Sequence, residues 1–376
     1  MILLFWISAT ILFYIYLGYP LLLWVWAKFF PRPVERSNAF PSVSILLSAY
    51  NEEKVIARKM ENLLALDYPR DKLEILVGSD GSNDSTASIL ARYEGEKVGV
   101  VALNERGGKP RMLNSLAQQA RGEILVFTDA RQKIDREAIR HLVQNFSDPK
   151  VGCVSGELML EGTNGAVAKG LGFYWTYEKF IRSKESEVDS VMGATGALYA
   201  IRRSLYHPMP EETILDDLYL PMKVVSQGYR TLFEGKAWVY DDASSAPRQE
   251  YERKVRTLAG NYQSFVQLSS TLNPFKSRVA FQFISHKLLR VLAPFFLVAL
   301  FVSNLFLPDC PLYWVFFILQ IAFYGLALLG AIVPGRMRQF FSAPYVFCLL
   351  NISALVGLYR YLSRQQQVTW QKGSAS

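Results

Sequence analysis

The sequence predicts an α/β domain built on a mostly parallel sheet, with one membrane-spanning helix before it and about three after it. Three observations carry that expectation. Between about residues 37 and 270, short apolar runs alternate with amphipathic stretches at helical spacing. Residues 2–27, ILLFWISATILFYIYLGYPLLLWVWA, hold no charged side chain, and a helical crossing of the hydrocarbon layer needs about 20 such residues. Residues 288–307, 312–333 and 340–359 are three more apolar runs long enough to span, with Arg290 as their one charged residue. Composition agrees, because a chain that is 51% apolar and 14% aromatic is too apolar for an ordinary soluble enzyme, while 20% charged residues require an aqueous part.

The first span, within residues 1–30, is followed at once by Lys28, Arg32 and Arg36. Basic residues after a span place the next domain in the cytoplasm and the N-terminus outside. The run lacks the basic start, short apolar core and small-residue cleavage site of a signal peptide, so it reads as a retained anchor. After the aqueous domain, residues 273–290, NPFKSRVAFQFISHKLLR, mix Phe, Val, Ile and Leu with Lys276, Arg278, His286, Lys287 and Arg290, the pattern of a helix lying in the interface. The spans of the 288–362 region are separated by PDCP at 308–311 and by PGRMRQ at 334–339, whose Arg336 and Arg338 mark a cytoplasmic loop. Four crossings from an outside start leave the tail, 363–376, outside, whereas Arg360, Arg364 and Lys372 favour the cytoplasm.

The net charge of +8 gathers beside the spans, where it reads as topology and attraction to membrane lipids rather than to nucleic acid. Cys153, Cys310 and Cys348 form no CxxC, and His141, His207 and His286 are scattered, so neither a disulfide framework nor a zinc site is expected.

Within the domain at 37–270, VSILLSAY (43–50) is a strand, and NEEKVIARKMENLLAL (51–66) a helix with Val55, Ile56, Met60, Leu63 and Leu64 on its apolar face. LEILVGSD, STASILARY, VGVVAL, RMLNSLAQQA and EILVFTDA continue the alternation. In such a sheet the ligand sits beyond the carboxyl ends of the strands. Those ends are Ser48-Ala49-Tyr50-Asn51-Glu52, Asp80-Gly81-Ser82-Asn83-Asp84 and Thr128-Asp129-Ala130-Arg131. No GxGxxG follows the first strand, and Gly107-Gly108-Lys109 lacks both the upstream glycine and the Ser or Thr of a P-loop.

From about Val43 to Gln263 the chain resembles the inverting, membrane-bound family 2 glycosyltransferases with a GT-A fold, the group of the cellulose, chitin, hyaluronan and poly-N-acetylglucosamine synthases. The motifs that carry the likeness are SAYNEE, GSDGSNDST, NERGGKPRMLN, FTDAR, GATGALYAIRR and ILDDLYLP. The resemblance implies a UDP-sugar site formed by Ser48, Tyr50, Glu52, Asp80, Lys109, Arg253 and Arg256, a metal aspartate at Asp129 for Mg2+ or Mn2+, an acceptor loop with Gly193, Thr195 and Gly196, and a base at Asp217 beside Asp216. It also implies an integral protein of a membrane such as the bacterial inner membrane, with the catalytic domain cytoplasmic.

The chemistry fits these residue types. An aspartate at a strand end can accept the imide N–H of uracil while Tyr50 covers the ring. A divalent cation on Asp129 and the nearby Lys109 would neutralise the diphosphate leaving group. A positioned carboxylate, Asp217, would take the proton of the acceptor hydroxyl. Asp84 suits a helix cap better than a ligand. Two departures from the family pattern stand out: Asp129-Ala130-Arg131 replaces Asp-x-Asp, and Arg253-Lys254-Val255-Arg256-Thr257 replaces Gln-x-x-Arg-Trp. Three functions follow as expectations: single transfer onto a lipid-linked or saccharide acceptor, processive synthesis of a secreted polymer, and a catalytically inert nucleotide-binding membrane subunit. Protein partners are not indicated.

Overall fold

The structure is a computed structural model and describes residues 1–161, 166–242, 247–307, 310–333 and 340–367. The chain divides into two compact units. One comprises Met1–Pro31, Gly162–Lys184 and Ala243–Gln366; the other consists chiefly of Arg32–Glu161 and Glu185–Asp242.

The second unit is built on a sheet in which, among the described residues, eight strands follow the order β3-β2-β1-β4-β7-β6-β8-β5. They are β1 (Val43–Ala49), β2 (Leu73–Asp80), β3 (Val98–Leu103), β4 (Ile124–Thr128), β5 (Lys133–Ile134), β6 (Val151–Glu161), β7 (Leu198–Arg202) and β8 (Arg230–Asp242). β1 pairs in parallel with both β2 and β4, and β2 with β3. β7 enters antiparallel between β4 and β6, and β8 lies parallel to β6. β4 is buried throughout and β1 at every residue but Ser48. A strand covered on both faces has no polar side to alternate, which is why Ile45-Leu46-Leu47 and Ile124-Leu125-Val126-Phe127 are continuous apolar runs.

Helices Ile56–Leu64, Thr86–Ala91 and Lys109–Gln119 follow β1, β2 and β3 in turn. The first buries Ile56, Met60 and Leu63 on one stripe, where they join the core with Ile45, Leu47, Ile75, Val77 and Val126. Leu64, expected on that stripe, sits at its edge and is 50% exposed. The stripe also contains Lys59. Strand order runs outward from β1 to β3 and then jumps to β4 on the other side of β1. Such a reversal opens a crevice beyond the carboxyl ends of β1 and β4.

In the first unit, among the described residues, four helices are long and apolar enough to cross a membrane: Ile2–Phe29, Ala280–Leu305, Pro311–Ile332 and Ser342–Leu362. Leu12 and Ile15 of the first pack on Ala293 of the second. Helix Ser342–Leu362 runs close against helix Pro247–Gln267, for a Cβ added at Gly357 would lie 2.9 Å from the Ala259 amide nitrogen. Arg360 makes a two-pronged contact with Glu252 across the same pair, at 2.7 and 3.2 Å.

The 273–290 stretch is not one separate helix. Its first part forms turns, and from Ala280 it belongs to the helix that runs to Leu305. Two of the side chains that made it read as interfacial have a partner inside the unit: Glu178 lies 2.8 Å from His286 Nε2 and accepts from Arg290 Nη1 at 2.6 Å. A paired charge can enter a buried helix that an unpaired one would break. The loop with Arg336 and Arg338, and Lys372, lie outside the described residues.

Candidate active site

The ends of β1, β2 and β4 share the carboxyl edge of the sheet, and Lys109, Asp129 and Asp216 meet there from distant parts of the sequence. Lys109 opens helix Lys109–Gln119, behind Gly108 at φ 88°, a backbone state that favours glycine. Its ammonium nitrogen lies 2.9 Å from Asp129 Oδ1 and 3.0 Å from Asp216 Oδ1. Burial would push Lys109 down, but the carboxylates of Asp129, Asp216 and Asp217 outweigh it and hold the group above its ordinary value. Asp216 is the first residue of helix Asp216–Ser226, where the helix dipole favours an anion. Its Oδ2 accepts the Tyr199 hydroxyl at 2.8 Å, and the Tyr199 ring stacks on Phe127 of β4 with centroids 4.7 Å apart. Burial, and then Asp216, keep that phenol well above its ordinary value, so it remains a donor.

Asp217 follows on the same helix and meets the loop before β7. Its backbone carbonyl accepts the Ala194 amide at 2.6 Å. Gly193 has φ 102°, and the Thr195 amide donates to Ser155 Oγ at 2.8 Å. A Cβ at residue 196 would stand 2.9 Å from Asp217 Oδ2. Glycine there leaves room for the carboxylate, and the atom displaced by a larger residue is the tip of Asp217 rather than backbone. Gly196→Ala is therefore expected to keep its melting temperature while turnover falls about tenfold or more, because small displacements of reacting groups are costly. Thermal unfolding and nucleotide release, measured together, check this; unchanged turnover would show that Asp217 is not crowded.

The two residues expected to meet a nucleobase are engaged by one loop. Asp80, 3% exposed at the end of β2, accepts the Gly107 amide on Oδ1 at 2.7 Å and the Gly108 amide on Oδ2 at 2.8 Å. Each carboxylate oxygen keeps further acceptor capacity. The Arg106 guanidinium carbon lies 3.7 Å from the centroid of Tyr50, so a cation covers the ring face expected to take uracil. Ser48 is the penultimate residue of β1, opposite Gly78. Glu52 starts the next helical turn, its carbonyl accepting the Ile56 amide at 2.9 Å, and its Oε1 lies 3.3 Å from Arg131 Nε. Asp84 takes the Thr86 amide at 2.9 Å and the Glu53 amide at 3.2 Å, the capping role that suited it.

Arg253 and Arg256 belong to the other unit, on helix Pro247–Gln267. Thr257, where the resemblance has Trp, donates its hydroxyl to Arg253 O at 2.9 Å. Three site residues escaped sequence reasoning: Arg106, Tyr199 and Lys59. Lys59 alone left a signal, a charge in register with the apolar positions Ile56 and Leu63.

The donor set suits a hard divalent cation in part. Two carboxylate oxygens, from Asp129 and Asp216, already converge on one ammonium. Among the described residues no three His, Cys, Asp or Glu side chains are grouped to hold a metal, so further ligands would be diphosphate oxygens and water, as is usual for Mg2+.

This sheet order, with its acidic carboxyl edge, defines a GT-A-like α/β fold. The mannosyltransferase PcManGT from Pyrobaculum calidifontis, solved in complex with GDP-Man and Mn2+, shares it with a TM-score of 0.72 over 96% of this chain and 99% of that one, at 22% identity. Residues 44–208 match the model Glycosyl transferase family 2, so that stretch is similar to the glycosyltransferase domains of that family. It is 26% identical over 247 residues to the probable glycosyltransferase YdaM of Bacillus subtilis (strain 168), covering 61% of this chain and 58% of that protein. It is 25% identical over 238 residues to the poly-beta-1,6-N-acetyl-D-glucosamine synthase of Staphylococcus aureus (strain COL), covering 62% of this chain and 57% of that protein. The matches thus span little more than half the length of these relatives.

Proposed function

We propose that the chain is an inverting glycosyltransferase that moves a sugar from a UDP-sugar to a lipid-linked or saccharide acceptor at the cytoplasmic face of a membrane. The observation that carries this reading is the meeting of Lys109, Asp129 and Asp216 at the end of β4, with Asp217 next along the same helix and facing Gly196. A set of that kind offers cationic charge to a diphosphate and a carboxylate to an acceptor hydroxyl.

Asp217 takes the hydroxyl proton as the acceptor oxygen bonds to the anomeric carbon from the side opposite the diphosphate. The bond from that carbon to the diphosphate oxygen breaks, and its electron pair leaves with UDP. Lys109, held charged by its carboxylate neighbours, stabilises the leaving group. A divalent cation held by Asp129, with Asp216 close by, would supply further neutralisation of the diphosphate when bound. Asp216 orients Lys109 while Tyr199 fixes Asp216. Uracil is the base proposed, because Asp80 can accept its imide N–H and Tyr50 can cover its face once Arg106 yields. A part for Arg253 and Arg256 toward the diphosphate rests on the family resemblance alone.

The polymer synthase among the relatives favours processive synthesis as a second reading; Thr257 in place of Trp weighs against it. Release of nucleotide by the purified full-length protein, from a panel of UDP-sugars and GDP-mannose, tests the proposal. UDP release from at least one donor is expected. Release of GDP alone would move the donor to guanine nucleotides, and no release from any donor would favour the inert reading.

A further inference from the structure

Among the buried residues of helix Ile56–Leu64, Lys59 alone is charged, and it is 3% exposed. Its ammonium donates to Thr128 Oγ1 at 2.9 Å and to Gln132 O at 2.7 Å. Thr128 is the last residue of β4 and Gln132 directly precedes β5. One side chain therefore ties the two ends of the turn that presents Asp129. Thr128 passes the tie onward, its hydroxyl donating to Ala197 O at 2.9 Å, next to the Gly196 that faces Asp217.

Burial disfavours the ammonium and pulls Lys59 down to about 7, with the Asp129 carboxylate acting the other way. An apolar residue of similar length would fill the slot without that penalty. What Lys59 adds is a pair of donors at the turn. The turn needs them, because Arg131, standing where the family pattern has a second acid, is drawn off to Glu52 and leaves Asp129 as the turn's one carboxylate. The neighbouring Asn62 serves β5 instead, its side chain bonding both the amide and the carbonyl of Ile134 at 2.8 Å.

We propose that Lys59 is a positioning residue, which holds the 128–132 turn so that Asp129, the single acid of the altered motif, keeps its place beside Lys109. The inference rests on the nucleotide-sugar reading above for its consequence, though not for its geometry.

Two measurements on the full-length protein in lipid nanodiscs test it, with Lys59→Met as the variant. Hydrogen exchange followed over the whole chain, with peptides covering residues 124–134 and 190–200, reads the turn and the 193–197 loop without any ligand. The Mn2+ concentration that gives half-maximal UDP binding reads Asp129. The expected result is faster exchange confined to the turn and the 193–197 loop, an unchanged melting temperature, and a Mn2+ requirement raised about tenfold, the lower end of what outer partners of metal ligands contribute. If Lys59→Met does not fold, Thr128→Val removes one end of the tie within the same volume and is expected to shift both readouts in the same direction. Parent-like exchange and an unchanged Mn2+ requirement in the folded variant would overturn the proposal. A parent protein that binds no UDP at any Mn2+ concentration would overturn the nucleotide reading instead, and exchange alone would then decide the role of Lys59.

Discussion

Asp217→Asn is expected to lower turnover about a hundredfold or more while leaving UDP affinity near that of the parent, the signature of a lost general base. The amide keeps the shape beside Gly196 but cannot take the acceptor proton. Asp216→Asn is a contrasting case. Asp216 holds Lys109 and receives the Tyr199 hydroxyl, so its replacement disturbs a cation aimed at the diphosphate and should weaken UDP binding as well as turnover. Isothermal titration with UDP alongside steady-state rates separates the two. Near-normal turnover in Asp217→Asn would remove the base from Asp217, and a pure turnover loss in Asp216→Asn would make Asp216 the alternative.

Chelator is expected to abolish transfer, with Mn2+ or Mg2+ restoring it in the parent and about a hundredfold less effectively in Asp129→Ala, the scale of losing one preorganised electrostatic group. The physical ground is narrow. Arg131 replaces the second acid and is paired with Glu52, and Lys109 already occupies the space between Asp129 and Asp216. Full activity in excess chelator would mean that Lys109 by itself neutralises the leaving group.

Much of this architecture is legible in the residues. The β2 strand runs over Leu73–Asp80 as its apolar pattern indicates, and β1 and β4 end where Tyr50 and Asp129 begin the polar turns. Local period and strand-end chemistry are properties of short segments. Contacts between segments far apart are not: nothing in the spacing says that Asp216 will meet Lys109, or that Arg106 will lie on Tyr50. Lys59 reads as an interruption of an apolar stripe, and its meaning depends on Thr128 and Gln132 arriving from another element. The start of the second span at Ala280 was hidden for the same reason, since Glu178 pairs with His286 and Arg290 from a helix far back in the chain.

The proposed single displacement at the anomeric carbon, with Asp217 as base, fixes the configuration of the first product. Proton NMR of the sugar first released when the purified protein hydrolyses an α-linked UDP-sugar, recorded before mutarotation, reads that configuration. The β-anomer is expected to appear first, at a rate lost in Asp217→Asn. Initial release of the α-anomer would contradict inversion and the assignment of Asp217 together.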